Sequence, residues 1–240
     1  MPEFRELSRS VKGLTVLVTG AASGMGRACA ERFADEGWSV AGLDLALTGL
    51  DGVLALPVDV TDPGAVAAAV DRAVEELGAP SALVNAAGIY PPTTLETATV
   101  ELYRRTFDVN VLGTILVTQA AAPQMTDRGA IVNFASIDAF VPSPGQLVYC
   151  ASKAAVVALT RSLALELAPR VRVNALAPGW VDTPGNRATG RMEAALADVP
   201  LGRAATPDEM ADIVWFLAGE GRAAYVTGET IAATGGSAFR

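Results

Sequence analysis

The chain has 240 residues, 51% hydrophobic and 18% charged, with a formal net charge of −8, which suits one α/β domain with a sizeable buried core and is far from a disordered composition. That negative balance, with no block of Lys and Arg to reverse it locally, argues against a nucleic-acid partner. The absence of histidine removes Ser-His-Asp triads, His-bearing zinc sites and His general bases together, so proton transfer must fall to Tyr, Lys, Cys or a carboxylate.

The opening segment, MPEFRELSRSVKG, carries acidic residues and no apolar run. It does not resemble a secretory signal, and a cytoplasmic protein is expected. The first strand reads LTVLVTG at 14–20, followed by a helix over Gly24–Glu36 and a second strand, WSVAGLD, at 38–44. The pattern continues with VLALPVDV at 53–60, a helix over 63–77, ALVNAAG at 82–88, and one long helix over 100–122. Then come AIVNFAS at 130–136, a helix at 149–168, RVRVNALAPG at 170–179, a helix at 207–218 and a last strand at 229–233. Alternation of this kind, with uninterrupted apolar strands, predicts a Rossmann-type doubly wound parallel sheet of about seven strands with helices on both faces, in a single domain spanning 1–240.

Local signals refine the pattern. Thr206-Pro207-Asp208-Glu209 supplies an N-cap, a proline at the first helical position and acids in the first turn. The uncharged stretch 109–126 carries Asn110, Gly113, Gln119 and Pro123, which fits a buried helix rather than a membrane span. Cys29 and Cys150 are too few for a disulfide framework and are expected as free thiols. Thr183 to Val199 lacks a strong pattern and is a candidate lid.

The first strand ends in Thr19-Gly20-Ala21-Ala22-Ser23-Gly24-Met25-Gly26 and runs straight into a helix. Glycines permit a tight turn and close backbone approach, and a helix N-terminus offers unpaired N–H groups to an anion, which suits a pyrophosphate. The spacing is not G-x-G-x-x-G, and an ordinary glycine-rich turn would read the same way. Asp44, at the end of the second strand, can accept hydrogen bonds from a ribose diol and repel a 2′-phosphate, favouring NAD over NADP, although an Asp there also serves as a cap. Tyr149 and Lys153 sit one helical turn apart on one face. At ~4 Å and an effective dielectric of 20, an ammonium stabilises a phenolate by ~4 kcal/mol before solvation costs. A surface Tyr beside a snorkelling Lys is the bland alternative.

These motifs, with Ser136 after the fifth strand and Asn110 in the preceding helix, make the chain resemble the short-chain dehydrogenase/reductase family in its classical form over essentially its whole length. The family's T-G-x-x-x-G-x-G stands at Thr19–Gly26, its Asp-Val step at Asp59-Val60, its N-A-A-G at Asn85-Ala86-Ala87-Gly88, and its nicotinamide-side turn at Pro178-Gly179. The resemblance implies Tyr149 as acid/base, Ser136 holding the substrate oxygen, Lys153 lowering the phenol pKa and binding the nicotinamide ribose, and Asn110 anchoring a water in a proton relay. It further implies that Gly20, Ser23, Gly24, Met25 and Gly26 cradle the pyrophosphate, with Asp59 and Val60 at the adenine. Asn85, Ala86 and Gly88 would line the adenosine side, and Val181 and Thr183 the nicotinamide carboxamide. Ser23, where members preferring NADP often carry a basic residue, agrees with Asp44 on NAD. Asn85 and Asn110 could equally tie strands together, and Pro178-Gly179 could merely set a turn.

The activity so implied is metal-free interconversion of a small secondary alcohol and its ketone, with Ile137, Asp138, Val141, Gln146 and the 183–199 segment around the substrate. A 3-oxoacyl-[acyl-carrier-protein] reductase and a non-catalytic NAD-sensing protein are the competing readings. Family likeness also suggests a homotetramer, with the helices near 100–122 and 149–168 at interfaces.

Overall fold

Strand β1 (Thr15–Thr19) is buried at every position. Because side chains alternate along a strand, Val16 and Val18 enter one apolar layer while Leu17 enters the layer on the opposite face. Burial on both faces is why the strand reads as a continuous apolar run. β5 (Gly129–Phe134) is likewise buried throughout, and β4 (Pro80–Asn85) at every position but Ser81. With β2 (Ser39–Asp44), β3 (Val53–Pro57), β6 (Val171–Pro178) and β7 (Thr230–Ala233) they form one seven-stranded sheet in the order β3-β2-β1-β4-β5-β6-β7, parallel throughout. These are the features of a computed structural model that describes residues 13–219 and 221–238. The expectation about a secretory leader falls on residues 1–13, of which 1–12 lie outside the described residues.

Helices α1 (Gly24–Asp35) and α8 (Pro207–Ala218) cover one face. Phe33, Trp38 and Trp215 meet there edge to face, with centroids 5.0, 5.1 and 5.6 Å apart. Helices α2 (Pro63–Leu77), α4 (Gly113–Ala121) and α5 (Leu147–Leu167) cover the other. Cys29 and Cys150 are both buried free thiols. At 21 residues with a mean hydropathy of 1.3, α5 is long and apolar enough to cross a membrane, yet it packs on β6 and buries Lys153 in its second turn.

The sheet order reverses between β1 and β4. Crossovers leave these strands in opposite directions, opening a crevice beyond their C-terminal ends. Gly20, Asp44, Ala86, Ser136 and Pro178-Gly179 all follow or end strands on that edge. The continuous helix expected over 100–122 is instead α3 (Val100–Phe107), a π-helical segment (Asp108–Leu112) and α4. The patternless stretch contains α6 (Pro184–Ala188) and α7 (Met192–Ala195).

Candidate active site

The strand ends and the α6–α7 segment enclose a cavity of about 920 Å³. Its wall includes Gly20, Ser23, Gly24, Met25, Gly26, Asp44, Asp59, Val60, Ala86, Gly88, Ser136, Tyr149, Lys153, Pro178, Gly179 and Thr183. Ile137, Asp138, Val141 and Gln146 line it too.

The glycine turn is dictated by contact. Gly20 adopts φ +69°, and a Cβ there would stand 2.8 Å from the Ala87 nitrogen. A Cβ on Gly26 would drive into the Gly20 carbonyl oxygen. Thr19 holds the neighbouring loop, its Oγ1 accepting from the amides of Ala86 (3.0 Å) and Ala87 (3.1 Å). Ser23 occupies the N-cap of α1 with extended backbone but makes no side-chain cap, and the first turn carries no acid. The first-turn amides therefore face the cavity without a competing side-chain acceptor, an arrangement suited to a phosphate. Asp44 is fixed at the end of β2 by two amides: Ala22 N donates to Oδ2 (2.9 Å) and Leu45 N to Oδ1 (2.7 Å). A dinucleotide fits this cradle.

At the other end Lys153 donates to the Phe134 carbonyl at 2.6 Å and lies 5.8 Å from the centre of the Tyr149 ring. Burial pushes its pKa down to about 8. Burial also pushes the Tyr149 phenol up, and a hydrogen bond with Ser136 draws it partway back. Desolvation, the cost set aside in the Coulomb argument, is the largest influence on the phenol. Ser136 caps the short 3₁₀ turn Ile137–Ala139, its Oγ accepting from Asp138 N at 3.1 Å.

Three expected contacts lie elsewhere. Asn85 does not line the cavity; its Nδ2 donates to Asn133 Oδ1 (2.9 Å) and Thr118 Oγ1 (3.2 Å), so it ties β4 to β5 and α4. Val181 is fully buried in the layer of α1 and α8. Its carbonyl already accepts from Thr183 N (2.9 Å) and Asn186 Nδ2 (2.8 Å). Asn110 turns onto the loop after β4: Oδ1 accepts from Ile89 N (2.8 Å), while Nδ2 donates to Ile89 O (2.9 Å) and Ser152 Oγ (3.0 Å). It supports the site from behind, clamping that loop to α5.

Sequence reasoning did not single out Tyr90, Trp180 or Arg191, all of which line the cavity. Tyr90 packs edge to face on Tyr149 at 5.9 Å, its hydroxyl against Gly185 of α6. Arg191 lies over the Trp180 ring at 5.7 Å. For Tyr90 and Trp180 the available signal was a position beside a recognised motif, after the N-A-A-G loop and after Pro178-Gly179; Arg191 carried none.

A doubly wound parallel sheet with a phosphate-suited turn at its switch point defines a Rossmann-type nucleotide-binding protein. Residues 20–238 match a family model described as enoyl-(acyl carrier protein) reductase. An uncharacterized oxidoreductase of Methylorubrum extorquens is 41% identical, with 94% of this chain and 98% of that one covered. Two similar solved structures carry different cofactors. A blue fluorescent protein from a metagenomic library, in complex with NADPH, is 32% identical at a TM-score of 0.87, covering 96% of this chain and 100% of that one. The 3-ketoacyl-(acyl-carrier-protein) reductase of Brucella melitensis, with NADH, is 34% identical at 0.86, covering 96% and 100%. This chain belongs to the short-chain dehydrogenase/reductase family of oxidoreductases, whose members bind nicotinamide cofactors.

Proposed function

We propose that this protein is a one-domain, NAD-preferring enzyme that interconverts a secondary alcohol and a ketone without a metal. The observation that carries the reading is the convergence of Ser136, Tyr149 and Lys153 on one wall of the cavity whose other end holds the open α1 turn and Asp44. A nicotinamide dinucleotide bound there supplies or accepts the hydride. Asp44, pinned by two amides, presents its carboxylate to a ribose diol and disfavours a 2′-phosphate. Ser136 Oγ holds the substrate oxygen, and Tyr149 Oη passes the proton to a carbonyl oxygen or takes it from an alcohol. Burial keeps Tyr149 as the phenol, whereas Lys153, at about 8, stays largely protonated at neutral pH. The resting pair is therefore phenol beside ammonium, which is the proton-donating form. Lys153 then serves as the countercharge for the phenolate left behind, and as a donor to the nicotinamide ribose.

The test is titration with NAD and NADP followed by turnover of an alcohol and ketone panel, alongside Tyr149→Phe. NAD binds more tightly, and Tyr149→Phe loses ~10²–10⁴-fold in kcat with unchanged cofactor affinity. A variant as fast as the parent removes Tyr149 from the chemistry, and tighter NADP binding overturns the role of Asp44. Cofactor binding without turnover of any carbonyl would favour a non-catalytic sensor.

A 3-oxoacyl-[acyl-carrier-protein] reductase is the second reading, favoured by the likeness to the Brucella enzyme. The acidic balance of this chain works against an anionic carrier, and faster turnover of a carrier-bound substrate than of free ketones would promote this reading. We also propose a cytoplasmic homotetramer. Leu112 and Ile115 on one helix and Leu147 and Leu165 on α5 are exposed apolar residues suited to subunit contacts. A monomeric mass in sedimentation equilibrium overturns that.

A further inference from the structure

Arg191 forms no ion pair among the described residues. Among the described residues Arg27, Arg32, Arg72, Arg187 and Arg203 each form an ion pair. Arg187, one helical turn earlier, is taken by Asp182. Arg191 instead has the Trp180 face and a neutral amide: with the Gln146 oxygen turned toward it, that oxygen accepts from both terminal nitrogens at 2.7 and 3.2 Å. Gln146 is itself only 2% exposed and stands at the N-cap position of α5 without a side-chain cap. The guanidinium is thereby held by rigid neighbours while part of its five-donor fork remains free. Asp138, a carboxylate within electrostatic reach, accepts from Ser143 Oγ at 2.6 Å; burial raises its pKa against the opposing pulls of Ser143 and Arg191.

Location gives this cation its meaning. Gln146 lies three residues before Tyr149, so the group fixing Arg191 is about one helical turn from the phenol. Arg191 also stands close enough to act electrostatically on Tyr90, Asp138 and Cys150, the groups around that phenol. Its position between α6 and α7 puts it on the segment that covers the cavity.

We propose that Arg191 recognises an oxyanion on the substrate, so that the alcohol or ketone handled beside Tyr149 carries a carboxylate or sulfonate a short spacer away. This rests on the functional reading above and specifies its substrate class. The guanidinium fork pairs two oxygens of the anion, the Trp180 face and Gln146 keep it aimed, and neutral alcohols lack that anchor.

Calorimetry with the protein saturated by whichever nicotinamide dinucleotide binds it tests this without relying on turnover. The probes are butanoate, propane-1-sulfonate and neutral butanamide, applied to the parent, Arg191→Met and Arg191→Lys. The parent binds the anions at least about tenfold more tightly than the amide, in line with a charge-assisted pair. Arg191→Met abolishes that preference, Arg191→Lys keeps part of it, and butanamide affinity stays constant across all three. A parent preference below about threefold, a preference that survives Arg191→Met, or equal weakening of neutral and charged probes overturns the proposal; the last outcome makes Arg191 a prop for the lid. Should Arg191→Met fail to fold, Arg191→Lys must still lose part of the anion preference. In parallel, short hydroxy acids are compared with their primary amides as substrates. Turnover of both at equal kcat/KM leaves the dehydrogenase reading standing and removes this one. Arg191-dependent anion binding with no turnover does the reverse.

Discussion

Two helix N-termini on the same face of the sheet are built in opposite ways. At α8, Thr206 Oγ1 accepts from Glu209 N (3.2 Å), Glu209 Oε2 accepts from Thr206 N (2.8 Å), and Pro207 removes one donor. Arg203 then clamps the Glu209 carboxylate with two hydrogen bonds, 2.6 and 2.7 Å. At α1, Ser23 caps nothing with its side chain, no acid enters the first turn, and glycines bring the backbone together. One terminus satisfies itself and ends there. The other leaves its donors for something brought from outside, which is the physical difference between a helix start that stabilises and one that binds.

The contrast can be broken most severely at Gly26. An alanine there pushes its Cβ into the Gly20 carbonyl, so Gly26→Ala costs about 1–3 kcal/mol of stability and weakens dinucleotide affinity on the order of a hundredfold or more, read by thermal unfolding and fluorescence titration. Ser23→Asp converts α1 toward the α8 design. The new carboxylate caps the helix, raising stability by roughly 0.5–1 kcal/mol, yet it occupies the place of a phosphate and lowers dinucleotide affinity about tenfold or more. Opposite signs for stability and binding are the outcome that confirms a ligand-reserved terminus; unchanged affinity removes it. Thr206→Ala is the mirror experiment, costing about 1 kcal/mol in denaturant unfolding and leaving cofactor affinity untouched.

The smallest effect is the pH dependence of the closed cap. The hydrogen bond from Arg203, then that from the Thr206 amide, hold Glu209 well below the usual range, at about 2 against 4.5. A depressed folded pKa means the contribution is complete above about 4.5 and is lost as pH falls toward 2. The Tm gap between the parent and Glu209→Gln therefore stays constant above about pH 5 and closes through that window. A gap that persists at pH 2 shows that the carboxylate charge is not what holds the cap.

What was legible in the sequence follows the same division. The α8 cap was readable because each part lies within four residues and acts locally. Strand positions and the order of helices were readable because burial imposes periods of 2 and 3.6. That periodicity puts Tyr149 and Lys153 on one helix face, but the direction in which each titrates depends on desolvation, which no spacing encodes. Asn85 and Val181 match family positions in sequence, and the cross-strand contacts that turn their side chains from the cavity are tertiary. Tyr90, Trp180 and Arg191 come together from three separate loops, so only the folded chain makes them neighbours.

The π-helical segment at Asp108–Leu112 carries a consequence for chain length. Its wider hydrogen-bonding holds one residue more than an α-turn would, and that extra residue sets the phase at which Asn110 meets Ile89. Removing a single residue would restore regular α-helical bonding and rotate everything beyond it by about 100°. Helical regularity would improve, while the loop beside Tyr149 and Lys153 would lose its clamp. At this point of the chain, residue count itself decides whether the Asn110 clamp reaches the loop after β4.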